Sequence, residues 1–261
     1  MPADMKGKVV IVTGGATGMG REAAKEFASV GARVAVVTGH NAAGGRETVS
    51  QIRQAGGEAE FFQCDVTKED QVQAMVEEVA AHYGRVDCAF NNAGVGPDGV
   101  RIPYGPLTEL TEEIWDKVMN VNLKGLFFCL KHELLQMRKQ GGGAIVNNAS
   151  IGGLKMAPNF GAYGPSKAGV IALTKLAALE NARAGIRVNV ICPGPTTGTD
   201  LMNNTLATDP NEEKNLTEHV IPMGKLGTTQ DIARAAVWLC SDFSGHITGQ
   251  ALSVDGGMHA M

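Results

Sequence analysis

The sequence predicts an α/β protein with a doubly wound, mostly parallel sheet of seven strands and helices on both faces. Short runs rich in Val, Ile and Ala alternate with segments of helical periodicity along the whole chain. Several of these runs are apolar at consecutive positions, as are strands buried on both faces of a parallel sheet. A glycine-rich turn follows the first run, as at the first strand-to-helix junction of such folds.

The seven strands are predicted from β-branched runs bounded by turn residues. In chain order they are Val9–Thr13, Arg33–Thr38, Ala59–Gln63, Asp87–Asn91, Ala144–Asn148, Arg187–Cys192 and Ala251–Val254.

The helices are predicted between these strands. One follows the glycine turn and continues to Val30. Another has apolar residues at helical spacing from Val72 to Val79, and Thr67 is a candidate for its N-cap. A third begins near Thr228, and Tyr163 lies in what resembles the first turn of a fourth.

Composition limits the partners. The chain has 261 residues, of which 44% are hydrophobic and 19% charged, with no linker or break in composition, so one domain spanning residues 1–261 is predicted. The net charge is -4 and no Lys/Arg run occurs, which predicts no nucleic-acid or membrane partner. The first apolar run, Val9–Val12, is too short for a secretion signal or a membrane span.

The five cysteines are widely spaced and odd in number. They have no CxxC or Cys/His ligand spacing, so we expect no metal site and a reducing, cytoplasmic environment. They are Cys64, Cys88, Cys129, Cys192 and Cys240.

The glycine turn reads TGGATGMG and spans Thr13–Gly20. Glycine permits a close backbone approach, so the turn and the following helix N-terminus can bind a pyrophosphate. No Gly-Lys-Ser/Thr follows, which excludes a mononucleotide P-loop of the ordinary type. Since glycine is abundant here, a simple tight turn stays an alternative.

The stretch YGPSK places Tyr163 and Lys167 four residues apart, on one face of a helix. A free tyrosine has a pKa of about 10, and lowering it to about 7 requires roughly 4 kcal/mol. An ammonium about 4 Å away supplies a comparable amount at an effective dielectric near 20. We therefore expect Lys167 to lower the pKa of Tyr163; the alternative is a half-buried aromatic residue with a solvated hydroxyl.

Several motifs occur together in one order: TGGATGMG, NNAG at Asn91–Gly94, Ser150, YGPSK, Pro193-Gly194 and the Asp255-Gly256-Gly257 tail. This combination resembles the short-chain dehydrogenase/reductase family over essentially the whole chain. The resemblance implies a Rossmann fold and an NAD(P)-dependent oxidoreductase that transfers a hydride between nicotinamide and a ketone or secondary alcohol.

The resemblance also implies catalytic roles. Tyr163 would be the acid/base, Lys167 would also hold the nicotinamide ribose, and Ser150 would hydrogen-bond the reacting oxygen. Asn122 matches the fourth catalytic position, which helps hold a water in the proton relay, and Asn120 is the competing choice. Each also has a structural interpretation, such as a loop hydroxyl or a polar helix residue.

The cofactor contacts implied by the resemblance follow six strands. After the first strand they are Gly14, Thr17, Gly18, Met19 and Gly20. After the second and third they are Gly39, His40, Asn41, Asp65 and Val66. After the fourth, fifth and sixth they are Asn92, Ala93, Gly94, Tyr163, Lys167, Pro193, Gly194, Thr196 and Thr197. Asp65 has an alternative role as a helix cap, and Gly198 occupies the usual threonine position, so the carboxamide contact stays open between Thr197 and Thr199.

The cofactor type depends on the stretch Val37–Asn41, which contains no acid to accept hydrogen bonds from an adenosine ribose. His40 is a candidate for a 2'-phosphate contact, assisted by Asn41 and Arg46, or else a solvated turn residue. Thr17 stands where many NADP-using relatives carry a basic residue. The indications are divided, and the sequence favours NADP(H) over NAD(H).

The segment Pro195–Ile221 is the longest without a strand, and in the family this region closes over the substrate. An apolar pocket for a small ketone or secondary alcohol is expected, with ordinary packing as the alternative role of each candidate. The candidates are Leu154, Met156, Phe160, Leu201, Met202, Leu206 and Leu216. His219 is given no catalytic role.

The C-terminal stretch GHITGQALSVDGGMHAM resembles family tails that pack in subunit interfaces, which implies a homotetramer. Two other functions stay open. One is a nicotinamide-nucleotide-binding regulatory protein without turnover, which would need only the glycine turn. The other is an isomerase or dehydratase that uses bound cofactor, although relatives of that type tend to have longer C-terminal regions.

Overall fold

A seven-stranded parallel sheet forms the centre of the computed structural model, which describes residues 4–98 and 102–261. The prediction of one domain over residues 1–261 also includes residues 1–3 and 99–101, which lie outside the described residues. The strands are β1 (Val9–Thr13), β2 (Arg33–Thr38), β3 (Glu58–Gln63), β4 (Cys88–Asn91), β5 (Gly143–Asn148), β6 (Ile186–Pro193), β7 (Thr196–Thr197), β8 (Gly227–Thr228) and β9 (Ala251–Val254).

The strand order is β3-β2-β1-β4-β5-β6-β9, and all six neighbouring pairs are parallel. The short strands β7 and β8 form a separate pair. The predicted fold class is confirmed, and each predicted strand ends within one residue of its observed position. The order reverses direction beside β1, so a crevice opens at the carboxyl ends of β1 and β4.

The helices cover both faces of the sheet. They are α1 (Gly18–Ser29), α2 (Ala42–Gln54), α3 (Glu69–Tyr83), α4 (Glu112–Met119), α5 (Leu126–Gln140), α6 (Tyr163–Asn181), α7 (Asp200–Thr208), α8 (Glu212–Asn215) and α9 (Thr229–Cys240). A six-residue π-helix, Asn120–Gly125, joins α4 to α5. Among residues 4–98 and 102–261, no helix has the length and apolar character needed to cross a membrane.

The consecutive apolar residues of β1 contribute to two separate cores. Val9 and Ile11 pack in the cluster that includes residues of α3, α5 and α6. Val10 and Val12 pack in the opposite cluster with residues of α1, α2 and α9. Because successive side chains of a strand point to opposite faces, an unbroken apolar run is what a strand covered on both sides requires.

The helix starts agree with the sequence in one case and differ in another. Thr228 Oγ1 accepts a hydrogen bond from the Asp231 amide at 3.2 Å, and the Thr228 amide donates to the Asp231 carboxylate at 2.9 Å, which is a capping box. The prediction that Thr67 caps α3 is wrong, because α3 begins after Lys68, which makes no side-chain cap. The Thr67 amide and hydroxyl instead donate to the Asp65 carboxylate at 3.0 and 2.8 Å.

Candidate active site

The glycine turn between β1 and α1 cannot accept larger side chains. Gly14 and Gly18 have φ angles of 66° and 54°. A Cβ on Gly20 would lie 2.2 Å from the Gly14 carbonyl oxygen, and one on Gly14 would lie 2.9 Å from Asn92 Nδ2. Thr17, the N-cap residue, makes no side-chain cap. The first-turn amides of α1 have no partner within the helix, so this cradle fits the pyrophosphate of a dinucleotide.

Asn92 joins the carboxyl ends of three strands. Its Nδ2 donates to the Thr13 carbonyl at 3.2 Å, and its Oδ1 accepts from Asn148 Nδ2 at 2.9 Å. The amides of Asn92 and Ala93 donate to the Thr13 hydroxyl at 3.0 and 3.1 Å. Thr13 and Asn148 are additional site residues: Thr13 opens the glycine-turn motif, where no role is predicted for its side chain, and Asn148 is the last residue of a predicted strand.

Gly39, His40 and Asn41 follow β2, and they differ in what they contact. A Cβ on Gly39 would lie 3.1 Å from the Asp65 Cα, so the turns after β2 and β3 approach closely. The His40 side chain is 91% exposed, with Nε2 4.0 Å from Asp65. Asn41 caps α2 by accepting from the Gly44 amide at 2.9 Å.

Two further residues near this turn are held by local contacts. The Arg46 guanidinium lies 5.1 Å from the centroid of the Phe61 ring. Burial acts to raise the pKa of Asp65, but hydrogen bonds from Thr67 and the nearby His40 outweigh it and hold that pKa below its ordinary value. Asp65 is therefore an anion in an Asx-type turn ahead of α3, rather than the N-cap of that helix.

The turns after β3 and β4 lie against the π-helix. Val66 is buried, and a Cβ on Gly125 of the π-helix would lie 3.0 Å from Val66 Cγ2. A Cβ on Gly94 would lie 3.3 Å from Asn122 Oδ1 and 3.4 Å from Lys167 Nζ. Gly94 therefore occupies a narrow space between two of the predicted catalytic residues.

Asn122 points inward from the π-helix, whereas Asn120 is exposed. Its Nδ2 donates to the Val95 carbonyl at 2.8 Å and to Ser166 Oγ at 3.1 Å. Its Oδ1 accepts from the Val95 amide at 2.8 Å. The side chain thereby fixes the main chain next to Gly94, and single-turn π-bulges of this kind often occur at functional sites.

Ser150 and Tyr163 come together at the carboxyl end of β5. Tyr163 is the first residue of α6, and a hydrogen bond joins its side chain to that of Ser150. Ser150 Oγ also accepts from the Gly152 amide at 3.0 Å. The serine therefore satisfies a loop amide and faces the phenol at the same time.

Lys167 lies beneath Tyr163 and is almost fully buried. Its Nζ donates to the Asn148 carbonyl at 2.8 Å and lies 5.7 Å from the centroid of the Tyr163 ring. Burial lowers the pKa of Lys167 to about 8. The ammonium is thus held by the end of β5.

The expected depression of the Tyr163 pKa is wrong for the protein's own groups. Burial raises this pKa, and the hydrogen bond from Ser150 only partly opposes the rise. An ammonium about 4 Å from a phenolate favours the ionised form by attraction. The cost of removing the phenolate from water acts in the opposite direction, and at Tyr163 it is the larger effect.

The turn after the sixth strand is hydrogen-bonded to neighbouring segments. Pro193 is the last residue of β6, and the Gly194 amide donates to the Val254 carbonyl at 3.0 Å. The hydroxyls of Thr196 and Thr197 donate to the carbonyls of Gly194 and Gly227 at 2.8 and 3.2 Å.

Thr199 and Gly198 complete this turn. The Thr199 hydroxyl caps α7 by accepting from the Met202 amide at 3.2 Å. A Cβ on Gly18 would lie 3.6 Å from the Gly198 carbonyl, so this segment lies against the start of α1.

A cavity of about 680 Å³ opens beside Ser150 and Tyr163. Five of the seven predicted pocket residues line it: Met156, Phe160, Leu201, Met202 and Leu216. The predictions for Leu154 and Leu206 are wrong, because Leu154 packs against the sheet core and Leu206 against the small cluster under α7. Met19 of the glycine turn also lines the cavity, which connects it to the dinucleotide cradle.

The sequence analysis missed Tyr104, Thr205 and His259, which also line this cavity. They come from separate loops and helices, so no local pattern connected them to the site. A second, polar cavity of about 250 Å³ opens at the opposite edge of the sheet and contains none of the predicted site residues. Within the described ranges, no three His, Cys, Asp or Glu side chains gather as metal ligands would.

Comparisons with known proteins agree with this geometry. A family model described as enoyl-(acyl carrier protein) reductase matches residues 14–259. The chain is 40% identical over 260 residues to an uncharacterized oxidoreductase of Thermotoga maritima, covering 99% of this chain and all of the relative. It is 37% identical over 260 residues to a 2,5-dichloro-2,5-cyclohexadiene-1,4-diol dehydrogenase of Sphingobium indicum, with the same coverage.

A solved structure, levodione reductase, superposes with a TM-score of 0.90 and 33% identity over 98% of both chains. The relatives are named as dehydrogenases and reductases, so a regulatory protein or an isomerase is not favoured. Three observations lead to one assignment: similarity over the full length, the parallel sheet, and the sequence motifs that the fold brings together at one site. The chain belongs to the short-chain dehydrogenase/reductase family and is an NAD(P)-dependent oxidoreductase that transfers a hydride between nicotinamide and a ketone or secondary alcohol.

Proposed function

We propose that Tyr163 protonates the substrate oxygen during ketone reduction and removes the proton during alcohol oxidation. The observation that carries this proposal is the contact between the Ser150 and Tyr163 side chains in the wall of the 680 Å³ cavity. Two hydroxyls at one point can both hydrogen-bond a single carbonyl oxygen and stabilise its developing charge. When bound, the nicotinamide donates or accepts the hydride.

Lys167 and Asn122 support Tyr163 in this proposal. Lys167 supplies a positive charge under the phenol, and its hydrogen bond to Asn148 fixes that charge at the end of β5. Asn122 holds the main chain of Val95, next to Gly94, and its carboxamide oxygen lies beside the same narrow space as Lys167 Nζ. A water relay from Lys167 past Asn122 is the proton path that we propose.

The glycine cradle and the turns after the next strands hold the dinucleotide in this proposal. The amides at the start of α1 bind the pyrophosphate. The residues proposed to contact the cofactor are Gly14, Thr17, Gly18, Met19, Gly20, Gly39, His40, Asn41, Asp65, Val66, Asn92, Ala93, Gly94, Tyr163, Lys167, Pro193, Gly194, Thr196 and Thr197.

We favour NADP(H) over NAD(H). The exposed His40 can contact a 2'-phosphate, and the stretch from Thr38 to Asn41 contains no carboxylate. Asp65 lies 4.0 Å from His40 and opposes a second negative charge, so we expect a preference below about tenfold. The ratio of affinities for NADPH and NADH measures it, and tighter NADH binding would reverse the assignment.

The substrate that we propose is a small, mainly apolar ketone or secondary alcohol. The apolar side chains around the cavity, including Phe160, Leu201 and Met202, support this class. Mixing the protein with reduced cofactor and a panel of ketones, while following the absorbance of the reduced nicotinamide, tests the reaction. Absence of cofactor oxidation across a broad panel would contradict it.

We propose a homotetramer. Two groups of exposed large apolar side chains are the candidates for the two kinds of interface of a dihedral tetramer. One region lies on α5 and α6, and the other on α9 and the turn after it. The side chains are Phe127, Leu135, Leu176 and Leu179 in the first, and Trp238 and Phe243 in the second.

We also propose one catalytic domain over residues 1–261 and a cytoplasmic location. Residues from both halves of the chain, such as Val10 and Ile232, share one core, which supports a single folding unit. All five cysteines are free and buried, as in proteins of a reducing compartment. Fractionation of cells producing the protein tests its location.

A further inference from the structure

A second pair of hydroxyls lies in the wall of the 680 Å³ cavity, apart from Ser150 and Tyr163. The Tyr104 hydroxyl lies 2.9 Å from Thr205 Oγ1. Tyr104 belongs to the segment between β4 and α4, and Thr205 to α7, so the hydrogen bond crosses from one wall of the cavity to another.

The direction of this hydrogen bond follows from a third group. Thr205 Oγ1 donates its single hydrogen to the Leu201 carbonyl at 2.9 Å. Tyr104 must therefore donate to Thr205, and both hydroxyl hydrogens are used. The two oxygens keep free lone pairs, so this point of the cavity accepts hydrogen bonds and donates none.

Tyr104 is held in place by the segment that leads to Tyr163. Its ring meets the Phe160 ring edge-on, with centroids 5.7 Å apart at 71°. The Gly105 amide donates to the Asn159 carbonyl at 3.0 Å, and Gly105 forms a β-bridge with Phe160. Asn159 has a φ of 66°, the one positive value outside glycine among the described residues. Such strained residues persist where the surroundings fix them, often at functional sites.

The Tyr104 and Thr205 hydroxyls lie about the length of a small molecule away from the proposed catalytic hydroxyls of Ser150 and Tyr163. The Phe160 ring lies 5.7 Å from that of Tyr104 and 6.2 Å from that of Tyr163, so the two tyrosine centroids are within about 12 Å of each other. One or two six-membered rings span such a distance. Leu201 and Met202 add apolar side chains to the lining of this cavity, and Glu212 and Asn215 add polar ones.

We propose that the substrate carries a hydroxyl remote from its reacting carbon, and that this hydroxyl donates a hydrogen bond to the Tyr104 or Thr205 oxygen. The inference rests on the proposed function, because it takes Tyr163 and Ser150 as the reacting end. A substrate that covers this pair with apolar atoms would remove the oxygens from water without replacing the lost hydrogen bonds, which is unfavourable.

A remote carbonyl or carboxylate fits this position less well. Its lone pairs would face the lone pairs of Tyr104 and Thr205. Tyr104 could turn its hydrogen toward such a group only by breaking its bond to Thr205. The site therefore discriminates a hydroxyketone from the corresponding diketone by the direction of one hydrogen bond.

Binding is measured by isothermal titration calorimetry on protein saturated with a tetrahydronicotinamide analogue of the cofactor, which neither donates nor accepts a hydride, so that neither the ketone nor the added hydroxyl of a probe reacts. The probes are cyclohexanone, 4-hydroxycyclohexanone and 1,4-cyclohexanedione, together with the two-ring pair 4-cyclohexylcyclohexanone and its 4'-hydroxy derivative. For the wild type, we expect the added hydroxyl to tighten binding about fivefold in at least one of the two ring lengths.

Two variants test the direction of the hydrogen bond. Tyr104→Phe keeps the ring against Phe160 and removes the oxygen, and it should reduce the hydroxyl preference to about twofold or less. Thr205→Val keeps the side-chain shape and releases the Tyr104 hydrogen. It should raise the affinity for the diketone relative to the hydroxyketone by about threefold or more, a change that a purely structural role would not produce.

The outcomes separate this inference from the proposed function. No binding of any probe, no hydroxyl preference at either ring length, or an unchanged preference in Tyr104→Phe would overturn the inference. The predicted binding preferences, without oxidation of reduced cofactor by any bound ketone, would support the inference and refute the assignment of Tyr163.

Discussion

Lys167 Nζ and the Asn148 carbonyl oxygen are joined by a hydrogen bond of 2.8 Å, which fixes a buried ammonium against the end of β5. The ammonium is the donor and a main-chain oxygen is its partner, and no carboxylate among residues 4–98 and 102–261 offsets the loss of its hydration. Burial accordingly lowers the pKa of Lys167 to about 8. The charge proposed for catalysis is therefore kept at a cost in stability.

Lys167→Met should stabilise the protein and abolish turnover. A pKa of about 8, against an ordinary 10.5, costs the folded wild type ~3 kcal/mol at neutral pH. The folded state releases its proton first as the pH rises, so this cost disappears between about pH 8 and 10.5. Urea unfolding at pH 7 and pH 10 measures the difference in free energy of unfolding between the variant and the wild type. This difference should be smaller at pH 10.

Lys175→Met is the matched control for this measurement, because Lys175 is exposed on the same helix. It should leave unfolding and turnover nearly unchanged at both pH values. A loss of stability in Lys167→Met at pH 7 would contradict the account.

Tyr163→Phe should lower turnover by about 10²–10⁴-fold while cofactor affinity changes little. The phenylalanine keeps the ring above Lys167 and removes the group that we propose transfers the proton. Tyr83→Phe is the control, since Tyr83 is a buried tyrosine of α3 remote from the site. Equal turnover in the Tyr163 variant and the wild type would refute the proton-transfer assignment.

Glu133→Gln should stabilise the protein at pH 8 more than at pH 5. Glu133 is buried on α5, where burial raises its pKa to about 7 although Asn91 donates to it at 2.8 Å. Unfolding then releases a proton between about pH 4.5 and 7, so wild-type stability falls by up to ~3 kcal/mol as the pH rises through this range. The Glu133→Gln variant has no titrating carboxyl at this position, so it does not lose stability in this way.

Unfolding of this variant and of the wild type in urea gives the difference in their free energies of unfolding at pH 5 and at pH 8. Glu113→Gln, at an exposed position of α4, provides the control and should show no pH-dependent gain. A gain of the same size at both pH values would show that Glu133 does not hold its proton in the folded state.

His40→Asp should weaken NADPH binding by about tenfold and leave NADH binding nearly unchanged. The added carboxylate would stand where we propose the 2'-phosphate binds, beside Asp65, which is already ionised. Asp65→Asn in the wild-type background should instead increase the affinity for NADPH relative to that for NADH. Equal losses for both cofactors would mean that His40 does not face the 2'-phosphate.

The double substitution Leu176→Glu and Leu179→Glu should reduce the molar mass measured by light scattering from four chains to two. Both side chains are exposed on α6, and two charges there would oppose apolar burial between subunits. Glutamate at the half-buried Gln51 and the exposed Gln54 of α2, away from both apolar regions, serves as the control. A wild type that is monomeric would end the tetramer proposal.

The sequence predicted the strands well because their signals are local. Val9–Thr13 is an apolar run between turns, and its burial on both faces follows directly from that pattern. Thr67 failed as a cap because a stronger acceptor, Asp65, lies two residues before it and takes the Thr67 hydrogens. Competition between neighbours of this kind is not visible in a capping pattern.

The site was predicted less completely, because desolvation and contacts between distant segments depend on the whole fold. The raised pKa of Tyr163 results mainly from burial, which the YGPSK motif does not reveal. Glu133 lies in a helix whose sequence gives no sign that one carboxyl is buried. Tyr104 and Thr205 are 101 positions apart, so only the fold brings them together.

Thr13, Asn92 and Asn148 continue the cross-strand connections beyond the last main-chain pairs of the sheet. The proposed proton-transfer groups stand on this rigid edge, whereas much of the surface facing the substrate belongs to the excursion between β7 and β8. The residues that carry out the reaction and those that select the substrate can therefore vary separately during evolution. Exchanging that excursion between homologues should change the accepted molecule while the reaction itself is retained.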